Sequence, residues 1–255
     1  MLAFFKMMKL ILVSVLLTGC AIGAADPNEV SKTERAKKFT EVGVEYFKSG
    51  DNVSALSWLQ KAIEYDSNYG RAYSVLGTVF QTDKENELAE KYYKKSVQIE
   101  PESAMFHNNY GAFLFQQKRY SEACRELEQA TTDPFYNLRA DALNNLGRCY
   151  EALNEEGKAG DAFQKSVNLG TRSPAALLNL SKSLLASGDV FQSNKKYSEF
   201  LDLVAVNQAQ HSAGSLIIGI ELARASGNTS DVVTYLLLLE NMFPENYAKY
   251  KESAE

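Results

Sequence analysis

Apolar residues in this chain recur at helical spacing, and the pattern as a whole then repeats. Gly43, Gly77 and Gly111 are 34 residues apart, and Gly147 follows after 36. Four before each glycine stands a large side chain: Phe39, Tyr73, His107 and Leu143. Immediately before it comes an apolar one: Val42, Leu76, Tyr110 and Leu146. Sixteen after it comes leucine or an aromatic: Leu59, Tyr93, Leu127 and Phe163. Steps of three and four lie along one face of a helix. Each unit therefore reads as two helices, divided by turn residues such as Ser49-Gly50-Asp51-Asn52, Lys118-Arg119, Asn154 and Ser187-Gly188-Asp189. Proline cannot continue a helix, so Pro101 and Pro134 are expected to end the second helices of units two and three.

A period of 34 with these positions is the tetratricopeptide pattern. Glycine and small residues let two antiparallel helices approach, and the large residues fill the space between them. A fifth unit keeps Leu177, Leu180, Gly188, Tyr197 and Phe200 but has Ser181 where glycine is expected. A sixth is registered by Gly227-Asn228 and Pro244, with Leu216, Leu236 and Leu239 as core. Allowing short insertions near 133–139 and 205–212, the repeats run 36–69, 70–103, 104–139, 140–173, 174–212 and 213–246, with 247–255 a polar end that could complete a capping helix. The fold class is all-α. One hairpin cannot bury its apolar face alone, so the six are expected to stack into a superhelical solenoid.

Composition narrows the function. An apolar content of 45% with 23% charge suits a packed globular chain. The formal charge of −5 and the lack of a Lys/Arg block argue against nucleic acid, whose phosphates demand a basic face. No metal-binding His pair, nucleophile elbow or phosphate-binding loop occurs. Of the two histidines, His107 holds a packing position and His211 lies in an inserted loop, where solvent exposure is expected. No enzyme activity, cofactor, metal or small-molecule substrate is expected. Cys124 and Cys149 fall on helices that should be neighbours; they are either a disulfide or two small buried residues.

The N-terminus reads as an address. Lys6 and Lys9 precede the apolar run Leu10–Leu17, too short to span a bilayer but suited to a secretory leader. Leu17-Thr18-Gly19-Cys20 resembles the bacterial lipobox. The resemblance implies cleavage of residues 1–19 and acylation of Cys20. Each buried methylene contributes about 0.8 kcal/mol, so several acyl chains would hold the protein firmly. By resemblance to the sorting rule of bacteria with two membranes, Ala21 in place of aspartate implies the outer membrane, facing the periplasm. Residues 20–35 are small and polar at first and read as a flexible tether.

In stacks of this kind the first helix of each repeat lines a concave groove. Its outward positions here include Val44 and Phe47, Thr78 and Gln81, then Met105, Asn108, Ala112, Phe115 and Gln116, then Asn144 and Arg148. The apolar members suit a helix or extended peptide, and the amides suit its backbone. Phe47 and Phe115 are open to a second reading, as packing against the next repeat. Asn109, Asn145 and Asn179 sit at a position where asparagine is structural.

At the third repeat the pattern becomes more specific. The run Asn108-Asn109-Tyr110-Gly111-Ala112-Phe113-Leu114, followed by Gln117-Lys118-Arg119-Tyr120-Ser121-Glu122-Ala123, resembles the type IV pilus biogenesis/stability lipoproteins, the PilF/PilW pilotins. So do Phe80-Gln81-Thr82 and Ser215-Leu216-Ile217-Ile218-Gly219-Ile220. The resemblance implies an outer-membrane lipoprotein that binds the pilus secretin and promotes its localisation and multimerisation, and so pilus biogenesis and twitching motility. The competing expectation is another periplasmic adaptor, for outer-membrane protein assembly or cell-wall synthesis.

Overall fold

In a computed structural model, which describes residues 31–170 and 173–254, the 34-residue period becomes six antiparallel helical hairpins and a terminal helix. The helices are α1 (Lys32–Lys48), α2 (Asn52–Tyr65), α3 (Gly70–Thr82), α4 (Asn86–Ile99), α5 (Ala104–Gln116), α6 (Tyr120–Ala130) and α7 (Arg139–Ala152). They continue with α8 (Glu156–Asn168), α9 (Pro174–Ala186), α10 (Val190–Ala205), α11 (Ala213–Ala225), α12 (Thr229–Met242) and α13 (Pro244–Ala254). Odd-numbered helices touch the next odd-numbered helix all along the stack, from α1 to α11, whereas even-numbered helices do not touch one another comparably. The stack therefore curves, with the odd-numbered helices as its inner wall.

The repeated glycines explain why each hairpin closes. A methyl group at Gly43, Gly77, Gly111 or Gly147 would come within 2.8 Å or less of the side chain sixteen residues on. Those side chains, Leu59, Tyr93, Leu127 and Phe163, are almost fully buried, so the glycine marks where one helix accepts the bulk of its partner. Repeat five solves the problem differently. Ser181 and Ser193 occupy the glycine and alanine positions, and each hydroxyl donates to the other's carbonyl, at 3.0 and 2.6 Å. Both serines are buried, so the reciprocal bonds remove the desolvation cost. In repeat six Ile220 takes the glycine position and is itself buried with Leu216 and Leu239.

Each hairpin turns through a left-handed residue seven after the glycine position: Gly50, Lys84, Lys118, Asn154, Gly188 and Gly227. That conformation lets the chain leave one helix and enter the next within a few residues. Neighbouring repeats are also tied by charge. The Glu90 carboxylate on α4 receives Lys94 and Arg119 at 2.7 Å and the Tyr110 hydroxyl at 3.1 Å. Burial works against that carboxylate, but these hydrogen bonds overcome it and hold its pKa down at about 2.

Several boundaries differ from expectation. Lys32 is already helical, so residues 32–35, expected in the tether, belong to α1. The leader, Cys20 and the tether up to residue 30 lie outside the described residues. Pro134 does not end α6, which stops at Ala130; it stands in the inserted loop. The polar end takes the reading as a capping helix, but that helix, α13, begins earlier, at Pro244, and packs Tyr247 and Tyr250 on the core of α11 and α12. It covers the last hairpin as the next repeat would have done. Among the described residues no helix is long and apolar enough to cross a membrane.

Candidate functional site

Asparagines run along the inner wall as a ladder. Asn109 Nδ2 donates to Ser74 Oγ at 3.1 Å, Asn145 Nδ2 to Asn108 Oδ1 at 3.3 Å, and Asn179 Nδ2 to Asn144 Oδ1 at 2.9 Å. Asn109, Asn145 and Asn179 thus have the structural role expected of them. Asn108 and Asn144, expected to meet a partner's backbone, instead accept from the next repeat, and Asn144 is 8% exposed. The reason is proximity: odd-numbered helices are close enough for one repeat's side chains to reach the next.

Other expected groove residues are also engaged. The Tyr93 hydroxyl donates to Gln81 Oε1 at 2.7 Å and meets the Thr78 hydroxyl at 3.1 Å. Gln81 Nε2 then donates to Gln116 Oε1 at 2.7 Å. Phe47 packs against the cluster of Ala55, Leu59, Leu76 and Val79, so for Phe47 the second of the two readings, packing, describes its surroundings. Met105 is half-buried.

Two clefts remain open on the first-helix side. The cleft between α5 and α7, about 410 Å³, gathers four expected residues: Ala112, Phe115, Gln116 and Arg148. Phe115 packs on Tyr120 of its own repeat at 5.3 Å and lines the cleft under the Arg148 guanidinium of the next repeat, 5.0 Å away. The larger cleft, about 610 Å³, lies at the first repeat and includes Val44, Val42, Tyr46 and Arg71.

Val42 and Tyr46 are the residues that pattern reading missed. Both stand at packing positions of the repeat: the counterparts of Val42, which are Leu76, Tyr110 and Leu146, are at most 6% exposed, and Leu114, a counterpart of Tyr46, is 1% exposed. In the first repeat each is 38% exposed, because among the described residues no hairpin precedes α1 to cover them. The available signal was their place in the first repeat, which no hairpin precedes among the described residues. Glu41, Glu45 and Lys48 rim the apolar surface, which suits a partner carrying an apolar anchor and polar flanks.

The remaining chemistry is structural. Cys124 on α6 and Cys149 on α7 are joined as a disulfide with Cα atoms 5.6 Å apart, which takes the first of the two expected readings. His211, expected in solvent, is half-buried and edge-on to Phe200 at 5.9 Å, and burial lowers its pKa. Among the described residues no group of three metal-capable side chains forms.

His107 does more than fill space. Its Nδ1 lies 2.7 Å from Glu126 Oε2 and its Nε2 lies 2.8 Å from the Pro101 carbonyl. Only the imidazolium donates to both acceptors, and the Glu126 hydrogen bond raises its pKa above 6.5 against the opposing effect of burial. The stabilisation is complete below the unfolded value near 6.5 and is lost as pH rises through the raised folded value. The urea midpoint is therefore expected to fall in wild type as pH rises above 6.5 through the raised folded value. It should fall less in His107→Gln, which cannot titrate. Parallel pH profiles for the two proteins would refute the ion pair.

Comparison with known proteins accords with this architecture. The tetratricopeptide repeat family is matched at residues 70–103, 140–169 and, by a second tetratricopeptide description, 87–137. The type IV pilus assembly protein PilF of Pseudomonas aeruginosa is 31% identical over 249 residues, covering 96% of both chains. The solved structure of Pseudomonas aeruginosa PilF has a TM-score of 0.79 at 28% identity, covering 87% of this chain and 99% of that one. That of PilW, described as a widely conserved type IV pilus biogenesis factor, has a TM-score of 0.73 at 24% identity, covering 84% and 97%.

Proposed function

Because the chain belongs to the PilF family of tetratricopeptide-repeat proteins of type IV pilus biogenesis, we propose that it is a pilotin. In this reading Cys20 carries the acyl chains that hold it in the outer membrane, facing the periplasm. The repeats grip a subunit of the pilus secretin, bring it to that membrane and favour its multimerisation. The observation that carries the proposal is the apolar cleft of the first repeat, open among the described residues. Packing side chains such as Val42 and Tyr46 stay exposed at little gain to the fold, so a partner that covers them supplies the contacts that a neighbouring hairpin supplies elsewhere in the stack. The cleft beside Phe115 and Arg148 offers a second contact on the same inner wall.

Deleting the gene is expected to remove secretin multimers from the outer-membrane fraction and to abolish twitching. Val42→Glu with Tyr46→Glu should lower co-purification of the secretin about tenfold or more. Helical content should be unchanged, since neither side chain is in the core. Cys20→Ser should leave secretin binding intact and release the protein from the membrane. Normal multimers in the deletant would overturn the secretin reading. Capture of a different membrane-anchored protein, dependent on Val42 and Tyr46, would instead assign the cleft to another assembly pathway.

A further inference from the structure

The outer layer carries a cleft of its own. Helices α2 and α4 part over a volume of about 500 Å³. Its floor is Ile63, Tyr73 and Tyr92. The floor is held in place: Tyr92 stacks on Phe80 at 5.3 Å and lies 6.3 Å from Tyr73, whose hydroxyl donates to the Ser67 carbonyl. The rim is Lys91, Lys94 and Lys95, with Gln60 and Gln98 at the sides. No carboxylate lines it, although the chain as a whole has a charge of −5.

The three lysines are not equivalent. Lys94 is paired with Glu90. Lys91 lies 5.6 Å over the Tyr92 ring, and among the described residues neither it nor Lys95 makes an ion pair. Lys91 over the Tyr92 ring and Lys95 beside it thus bring two ammonium groups to a recess with an aromatic floor, where their field is focused and weakly opposed.

We propose that this outer cleft binds an acidic, extended segment of a partner protein, distinct from whatever occupies the inner wall. An apolar side chain of the segment rests on Ile63, Tyr73 and Tyr92. Flanking carboxylates meet Lys91 and Lys95, and the amides of Gln60 and Gln98 are placed to hydrogen-bond its backbone. A few residues of peptide fill a recess of this size. A bilayer surface is the less suitable occupant, because headgroups in a plane do not reach a floor set between two helices. The proposal does not depend on the secretin reading.

The test uses the full lipidated chain in detergent micelles and a fluorescein-labelled hexapeptide of alternating glutamate and leucine, followed by anisotropy. Saturable binding is expected, weakening as salt rises. It should fall about tenfold or more in Lys91→Glu with Lys95→Glu. The control Lys195→Glu with Lys251→Glu makes the same change in net charge on exposed positions of α10 and α13, and should bind as wild type. Val42→Glu with Tyr46→Glu should also bind as wild type. The proposal is overturned by no saturable binding up to about 1 mM peptide, or by equal loss in the control. It is also overturned if phosphatidylglycerol doped into the micelles, and not the peptide, binds in a Lys91- and Lys95-dependent way.

Discussion

Replacing Cys124 and Cys149 together by alanine is expected to cost about 3 kcal/mol of stability. The bridge closes a loop of 25 residues and ties the second helix of repeat three to the first helix of repeat four. Opening it restores conformational freedom mainly to the unfolded chain, which is why the cost scales with loop length. Both cysteines are at most 4% exposed, so alanine leaves the packing nearly intact. For a body of this size the thermal midpoint should drop by about 6–12 °C. Because each repeat touches only its neighbours, the loss should appear first as uncoupling of repeats one to three from repeats four to six. The measurement is a thermal melt of wild type with and without reductant beside the double alanine variant. Reductant should carry wild type down to the variant's midpoint and leave the variant itself unmoved. A variant that melts with oxidised wild type would show that the bridge contributes nothing.

Gly147→Ala and Gly157→Ala are expected to move stability in opposite directions. At Gly147 a methyl carbon would lie 2.4 Å from the ring of Phe163, which is 0% exposed and has nowhere to go. Either the ring leaves its rotamer or the two helices of repeat four separate, at about 2–3 kcal/mol. At Gly157, in the first turn of α8, a methyl carbon would meet nothing within 4 Å. There alanine only removes backbone freedom from the unfolded chain, a gain of about 0.5 kcal/mol. Urea melts of both variants decide the matter. Equal midpoints would mean that the glycine of each repeat is a matter of helix propensity and not of close approach.

Much of this protein is written in local order. The hairpins follow from the spacing of Phe39, Gly43 and Leu59 and their counterparts, because a helix brings residues three and four apart onto one face and glycine marks where a second helix must come close. The disulfide was legible as a possibility for the same reason: repeats of known period put Cys124 and Cys149 on adjoining helices. Repeat six was legible through Leu216, Leu236 and Leu239 even though Ile220 replaces its glycine.

What the tertiary structure alone decided is which polar and apolar groups are left over. Asn108, Asn144, Thr78 and Gln81 face the groove in any count along one repeat, yet each hydrogen-bonds within the protein, Thr78 to the Ser74 carbonyl and the Tyr93 hydroxyl and the others to side chains. Val42 and Tyr46 read as core by the same count and are exposed. In a solenoid the periodic pattern specifies how each hairpin packs within itself. Whether a side chain is satisfied or free depends on the next hairpin, and at the first repeat, among the described residues, no preceding hairpin covers it.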